Sequence, residues 1–322
     1  MHPAQSGHTE RRISNMKKFF RKPYRWTAVF SIIMAISMTF ILMDTFVIPR
    51  TGTPVIAAAA TTSAKATTQA TTTSSKTDAV ITANSYKDAN IQITIKTVRE
   101  YDTTMYVADI QLSSVDYFKT AFAQGTYGRN IKETTSTMAQ NNNAIFAING
   151  DYYGFRDYGF VIRNGVLYRS TAREAGSDEA LAVDSSGTMS IINEQESNAQ
   201  TLVDAKTLQV LSFGPALINN SKIAVTSTSE VGQSMASNPR TAIGQVSALH
   251  YIVIVSDGRT SESAGLSLLQ LAQEFKTRAC TVAYNLDGGG SSTMWFNGKV
   301  INKTTNGNSS SERSVSDIVY FG

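Results

Sequence analysis

Apolar and polar residues alternate strictly along Ile91-Gln-Ile-Thr-Ile-Lys-Thr-Val98, the period of a strand with one face on a core. Met105–Leu112 repeats the pattern and predicts its partner. Phe160–Arg163 and Val166–Arg169 flank Asn164-Gly165, a pair that readily takes the positive φ of a two-residue hairpin. Leu181–Val183 and Met189–Ile192 flank Ser185-Ser-Gly187, and Asn297-Gly298 marks a further hairpin. Thr241–Gly244 is expected to pair with the run Ala248–Val255, and Val315–Phe321 to form a closing strand. The period then switches. Leu268, Leu271, Ala272, Phe275 and Ala279 recur at helical spacing, behind a Ser267/Gln270 capping box. A shorter helix is expected within 131–140, before the apolar run Ala144–Ile148. These elements predict an α+β domain over residues 86–322, a mostly antiparallel sheet with a few packed helices.

The first 85 residues follow other rules. Trp26–Met43 is 18 residues without a charge, near the length that crosses a membrane, with Tyr24 and Phe46 able to extend it. Residues 1–50 hold eight Lys/Arg and two acids, while the rest of the chain carries 21 Lys/Arg against 23 Asp/Glu. The basic cluster lies ahead of the apolar run, which predicts a cytoplasmic N-terminus and an extracytoplasmic domain. A cleaved signal peptide, and with it a secreted form, is the rival reading. Residues 51–78 are Thr, Ser and Ala with few large apolar residues. They read as a flexible spacer that lifts the domain off the membrane. The expected order is a basic tail at 1–23, an anchor at 24–46, a linker at 47–85 and the domain at 86–322.

Charge and residue counts remove several chemistries. The domain is slightly acidic, so the chain's pI of about 9.0 belongs to the tail and does not argue for a nucleic-acid partner. Of three His, only His250 lies outside the tail, in mid-strand, and Cys280 is the one cysteine. An intrachain disulfide is impossible, and a zinc site or a Ser-His-Asp triad has almost nothing to draw on. No cofactor is implied. A hard cation such as calcium or magnesium, held by carboxylates and carbonyls, stays open. The domain must work with carboxylates, hydroxyls, amides and arginine.

Those groups cluster at strand ends. Thr281–Tyr284 reads as a buried strand running into Asn285-Leu-Asp287-Gly-Gly-Gly-Ser-Ser-Thr293. Three consecutive glycines suit a chain that must take positive φ or approach a ligand closely. Such a turn can aim its amides at an anion, with Asp287 beside it. Asn149-Gly150-Asp151 leaves the 144–148 strand, and Asn238-Pro-Arg240-Thr241 precedes another. Arg240 could present its planar fork to phosphate. Glu312-Arg313 precedes the last strand and reads equally as a structural ion pair. Ser256-Asp-Gly-Arg259 reads as a plain turn.

Taken in order, Asn149-Gly150, Asn238–Ala242, Asn285–Thr293 and the Glu312-Arg313 segment resemble the phosphodiester glycosidase domain family over roughly residues 86–322. The resemblance implies an α+β fold with a curved sheet. It also implies cleavage of the bond between sugar C1 and oxygen in a sugar-1-phosphodiester. By position, Asn149, Arg240, Thr241, Asp287, Gly288, Gly289, Ser291 and Ser292 fall on the family's shared motifs, and Asp151 less securely. The chemistry is compatible. A phosphodiester leaving group is weakly basic and needs charge stabilisation more than a general acid, so one carboxylate can suffice. Asp287 is the first choice, with Asp151 and Glu312 behind it. Arg240, Arg313 and the 288–292 amides are the expected substrate contacts. The expected partners are a phosphorylated glycan and, through the N-terminal helix, a membrane. A carbohydrate-binding module and an envelope-assembly protein are the alternatives to a glycosidase.

Overall fold

The computed structural model describes residues 23–55, 79–229, 237–306 and 310–322. Residues 1–22 of the expected basic tail and 56–78 of the expected spacer lie outside the described residues. The chain divides into two compact units at Pro49. The first contains the helix Pro23–Phe46. Its stretch Arg25–Phe46 has a mean hydropathy of 2.1 and is not buried, so it has the length and apolarity of a membrane span.

The second unit is a mostly antiparallel α+β fold, divided among three main sheets rather than gathered in one. The largest has nine strands. It runs from Lys222–Ile223 through Ala216–Asn219, Val282–Asn285, Arg240–Ser247, His250–Ser256, Thr103–Leu112, Ile91–Glu100 and Ser85–Lys87 to Val80–Ile81. A five-stranded sheet holds Lys299–Val300, Met294–Phe296, Phe146–Asn149, Asp317–Phe321 and Phe118–Phe122 in that order. The third sheet orders Val166–Arg169, Val161–Arg163, Thr207–Leu211, Glu179–Asp184 and Met189–Asn193.

The hairpins form where turn chemistry favours them. Asn164 and Gly165 take φ of 51° and 79°, and Asn297 and Gly298 take 42° and 89°. The hairpin joining Ile91–Glu100 to Thr103–Leu112 is less orthodox, because Tyr101 and Asp102 both sit at positive φ without a glycine.

The central strands are buried on both faces. Val253 and Val255 join Ile93, Ile110, Phe146, Ile148, Leu181 and Phe321 in the core between the sheets. Ile252 and Ile254 point the other way, onto Leu268, Leu271, Ala272 and Phe275 of the helix Leu268–Thr277. Two-sided burial explains why Tyr251–Val255 is continuously apolar. Helix Thr135–Asn141 covers the second sheet, packing Met138 with Ala147, Trp295 and Ile318. Cys280 is buried, and His250 pairs at 3.0 Å with Asp109 on the neighbouring strand.

Structure also begins earlier than residue 86. Val80–Ile81 pairs with Ser85–Lys87. Arg50–Thr51 pairs with Gly128–Arg129, Gly52 N–H donates to the Tyr127 carbonyl at 2.9 Å, and Val55 N–H donates to the Leu167 carbonyl at 2.9 Å. Residues 50–55, expected in the linker, are therefore hydrogen-bonded to the domain.

The Leu268–Thr277 helix depends on one aromatic anchor, the fully buried Phe275. Phe275→Ala is expected to cost about 3–5 kcal/mol, read as a lowered urea midpoint with an unchanged m-value.

Candidate active site

Three strand ends meet at the side chain of Asn149, which is fully buried. Its Oδ1 accepts from Thr241 Oγ1 at 2.8 Å and from Thr293 N–H at 3.2 Å, and its Nδ2 donates to the Asp287 carbonyl at 2.6 Å. Asp287 N–H donates to the Gly150 carbonyl at 3.2 Å. The backbone of Asp287 is thus tied on both sides to the exit of one neighbouring strand. Gly150 can be nothing larger, since a Cβ there would collide with the Asp317 carboxylate.

The glycine run then turns. Gly289 takes φ of 60°, and a Cβ there would meet the Arg259 guanidinium at 3.1 Å. A Cβ on Gly290 would meet the Arg313 guanidinium at 2.6 Å. Two arginines therefore lie against the loop because it lacks side chains. The loop's amides are mostly occupied. Gly288 N–H donates to Asp287 Oδ1 at 3.0 Å, Gly289 N–H to the Pro239 carbonyl at 2.8 Å, and Ser291 and Ser292 N–H to the Gly288 and Gly289 carbonyls. The anion cradle expected from the 288–292 amides is not built, because those bonds hold the turn itself.

What the loop builds is one wall of a cavity of about 220 Å³. Asp287, Ser291 and Arg313 line it, together with Tyr152, Phe155 and Lys132. Asp287 is half-buried, and burial pushes its carboxyl up to about 6. The Ser291 hydroxyl, Arg313, Arg156 and the Gly288 amide pull the other way and limit the rise. Tyr152 sits in the left-handed region at φ 71° and stacks on Phe155 at 4.6 Å. An aromatic side chain at positive φ is unusual and costs energy. The pair forms an apolar shelf beside Asp287.

Other expected site residues lie elsewhere. Asp151 is fully buried. It pairs with Arg163 at 2.9 Å and accepts from Ser212 N–H at 2.7 Å and Tyr153 N–H at 3.2 Å. Arg163 also pairs with Asp317 at 2.8 Å, and burial beside Asp151 raises Asp317 to about 7. Glu312 caps the Thr135–Asn141 helix, accepting from the amide of Ser136 at 3.3 Å and from its hydroxyl. Arg240 is 3% exposed beside Gly288, with Nε on the Leu266 carbonyl at 2.9 Å, and is not among the cavity's lining residues. Thr241 bonds to Asn149, and Ser292 is buried with its Oγ lacking a partner. Arg313, exposed at the cavity, occupies the position expected of Arg240. Tyr152, Phe155 and Lys132 escaped sequence reasoning. Only the Tyr152-Tyr153 pair after Asp151 hinted at them. Among the described residues, no three His, Cys, Asp or Glu side chains gather in a metal-binding arrangement.

The phosphodiester glycosidase family profile matches residues 142–322. An uncharacterized protein, YomE, derived from the SPbeta prophage of Bacillus subtilis strain 168, is 32% identical over 197 residues. The match spans 59% of this chain and only 30% of that relative. Among solved structures, the zebrafish N-acetylglucosamine-1-phosphodiester α-N-acetylglucosaminidase catalytic domain, auto-inhibited by its pro-peptide, shares the fold with a TM-score of 0.57 at 18% identity. That likeness covers 72% of this chain and 82% of that one.

Stability separates the two aspartates. An ordinary Asp titrates near 3.8, and Asp287 near 6 when folded. Between these values the folded state keeps a proton that the unfolded state releases. Stability therefore falls as pH rises through this window and stays reduced above it. Asp287→Asn is expected to raise Tm at pH 7 by about 2–8 °C and to leave it nearly unchanged at pH 4. Asp151→Ala, which breaks a buried ion pair, is expected to cost on the order of 3–5 kcal/mol. Calorimetry of both variants at the two pH values checks this, and a lowered Tm for Asp287→Asn at pH 7 contradicts it.

Proposed function

The chain belongs to the phosphodiester glycosidase family, and we propose that it hydrolyses the glycosidic bond of sugar-1-phosphodiesters in envelope or extracellular glycans. The observation that carries this reading is Asp287. It is a half-buried carboxyl raised to about 6, on a cavity that also presents Arg313 and an aromatic shelf.

In the proposed reaction the sugar ring lies against Tyr152 and Phe155, with its phosphate towards Arg313 and Lys132. Asp287, as base for water or as nucleophile, drives attack on the anomeric carbon. The bond from C1 to the phosphate oxygen breaks, and its electron pair stays on the phosphate. Water supplies the new C1 hydroxyl, releasing free sugar and a phosphomonoester. The leaving group is already anionic and weakly basic, so no second carboxylate is required. This agrees with Asp151 and Glu312 being bonded elsewhere. Arg313 offsets charge that the phosphate carries in ground and transition states alike. Asn149 and Thr241 act by positioning the Asp287 backbone.

The apolar helix Pro23–Phe46, preceded by six Lys/Arg among residues 1–22, supports a membrane anchor with its N-terminus in the cytoplasm. External protease on intact cells should then digest residues 86–322 and leave residues 1–22 until lysis. A domain protected until lysis contradicts this topology.

Kinetics on a sugar-1-phosphodiester test the chemistry. Asp287→Asn should lower kcat by about 100-fold or more with little change in KM. Arg313→Ala should mainly raise KM, by roughly tenfold or more, the worth of a charged hydrogen bond. Because the ionised carboxylate acts, kcat/KM should rise with pH through about 6 and then level. Near-normal kcat in folded Asp287→Asn would remove Asp287 from the chemistry, and binding without turnover in the wild type would remove the proposed hydrolysis.

A further inference from the structure

The turn Tyr152–Arg156 has a second cavity on its other side, of about 230 Å³. Tyr152 and Phe155 line the cavity of Asp287, whereas Tyr153 and Arg156 line this one, and no lining residue is shared. Four arginines surround it, Arg50, Arg129, Arg156 and Arg169, against one carboxylate, Asp157.

Two of these cations, Arg156 and Arg169, are fixed by carbonyls. Arg169 donates through Nε to the Gly159 carbonyl at 2.6 Å, and through Nη1 to the Tyr153 and Arg156 carbonyls at 3.0 and 2.6 Å. Arg156 reaches the Ser212 and Asp151 carbonyls at 3.4 Å, and its guanidinium lies 5.4 Å from the Tyr152 ring and 5.0 Å from Phe213. Arg129 pairs with Asp157 at 2.7 Å, and its buried Nε has no hydrogen-bond partner. Burial holds Arg169 below its ordinary pKa, with Arg163 and Arg156 adding to the effect while Tyr127 and Asp151 oppose it. Carbonyl bonds orient a guanidinium without neutralising it. Arg156 and Arg169 therefore keep their positive charge at the cavity, whose lining among the described residues includes one acid, Asp157, and the guanidinium fork suits phosphate oxygens.

We propose that this cavity is a second, non-catalytic binding site for a phosphate group, carried by a phosphomonoester or phosphodiester. The strap Arg50–Gly52, paired with Gly128–Arg129, closes one side and contributes Arg50. Arg50 follows the end of the apolar helix at Phe46 by four residues, so the phosphate can come from a soluble compound or from a phospholipid headgroup. The site stands independently of the hydrolysis proposed above.

The test uses the full chain and follows its melting. In one arm the protein is in detergent with inorganic phosphate or glycerol phosphate, against chloride at equal ionic strength. In the other it is in nanodiscs of phosphatidylcholine with or without phosphatidylglycerol. Phosphate is expected to raise Tm in at least one arm. The effect should persist in Arg313→Ala, which removes the phosphate contact of the other cavity. It should need roughly tenfold more ligand, or vanish, in Arg129→Gln and in Arg50→Gln, the second being an exposed strap residue whose loss leaves the core intact. A response to soluble phosphates alone identifies a free phosphoryl compound, and a response to phosphatidylglycerol alone identifies a headgroup. No response in either arm, or an equal response in Arg129→Gln and Arg50→Gln, overturns the site.

Discussion

The side-chain amide of Asn149 is the constraint on which the site depends. One buried group accepts from the Thr241 hydroxyl and the Thr293 amide, and donates its own N–H to the Asp287 carbonyl. Those residues come from two separate stretches of chain, with Asn149 on a third, and nothing local in any of them would hold them together. An amide suits the junction because it has both acceptor and donor sites in one plane. A carboxylate would lack the donor, and an apolar side chain would leave several buried polar groups unsatisfied. The glycine loop starts from this anchored point, so its position follows from that of Asn149.

Carboxylates in this domain divide by what lies beside them. Asp151 and Asp317 share one buried guanidinium, Arg163, and are thereby committed to holding two sheets together. Glu312 is committed to a helix N-terminus, where a negative charge meets unpaired amides. Asp287 has a hydroxyl, one amide and more distant arginines, so burial dominates and its proton is exchangeable near neutrality. Asp317 is raised further, to about 7, but is fully buried beside Arg163, so what sets Asp287 apart is its place on the cavity as well as its shift.

The same division explains what could be read from the sequence. Turns at Asn164-Gly165 and Asn297-Gly298, the capping box at Ser267 and the strand periods all depend on residues close in the chain, and all are present. The strand boundaries were less visible at the Tyr101-Asp102 turn, which lacks the usual small residues. Sheet partition could not be read, because it depends on pairings such as Val319 with Ile148 and Thr120 that span the chain. The Asp-Gly-Gly-Gly motif was legible, and the Asp287 it singles out does line the cavity. Arg240 and Arg313 are chemically identical in a sequence. Only packing makes one of them a buried brace beside Gly288 and the other a cavity wall. Tyr152 was hidden for a related reason, since its left-handed backbone follows from the turn and not from any preference of tyrosine.

The short strap after the apolar helix changes what residues 56–78 connect. Val55 is bonded to Leu167, and Val80 begins the edge of the largest sheet. The intervening segment therefore joins two points of one folded body, and only residues 47–49 lie between the helix and that body. An insertion among them leaves both anchored points in place, whereas a deletion within residues 50–52 removes the strap's pairing with Gly128–Arg129.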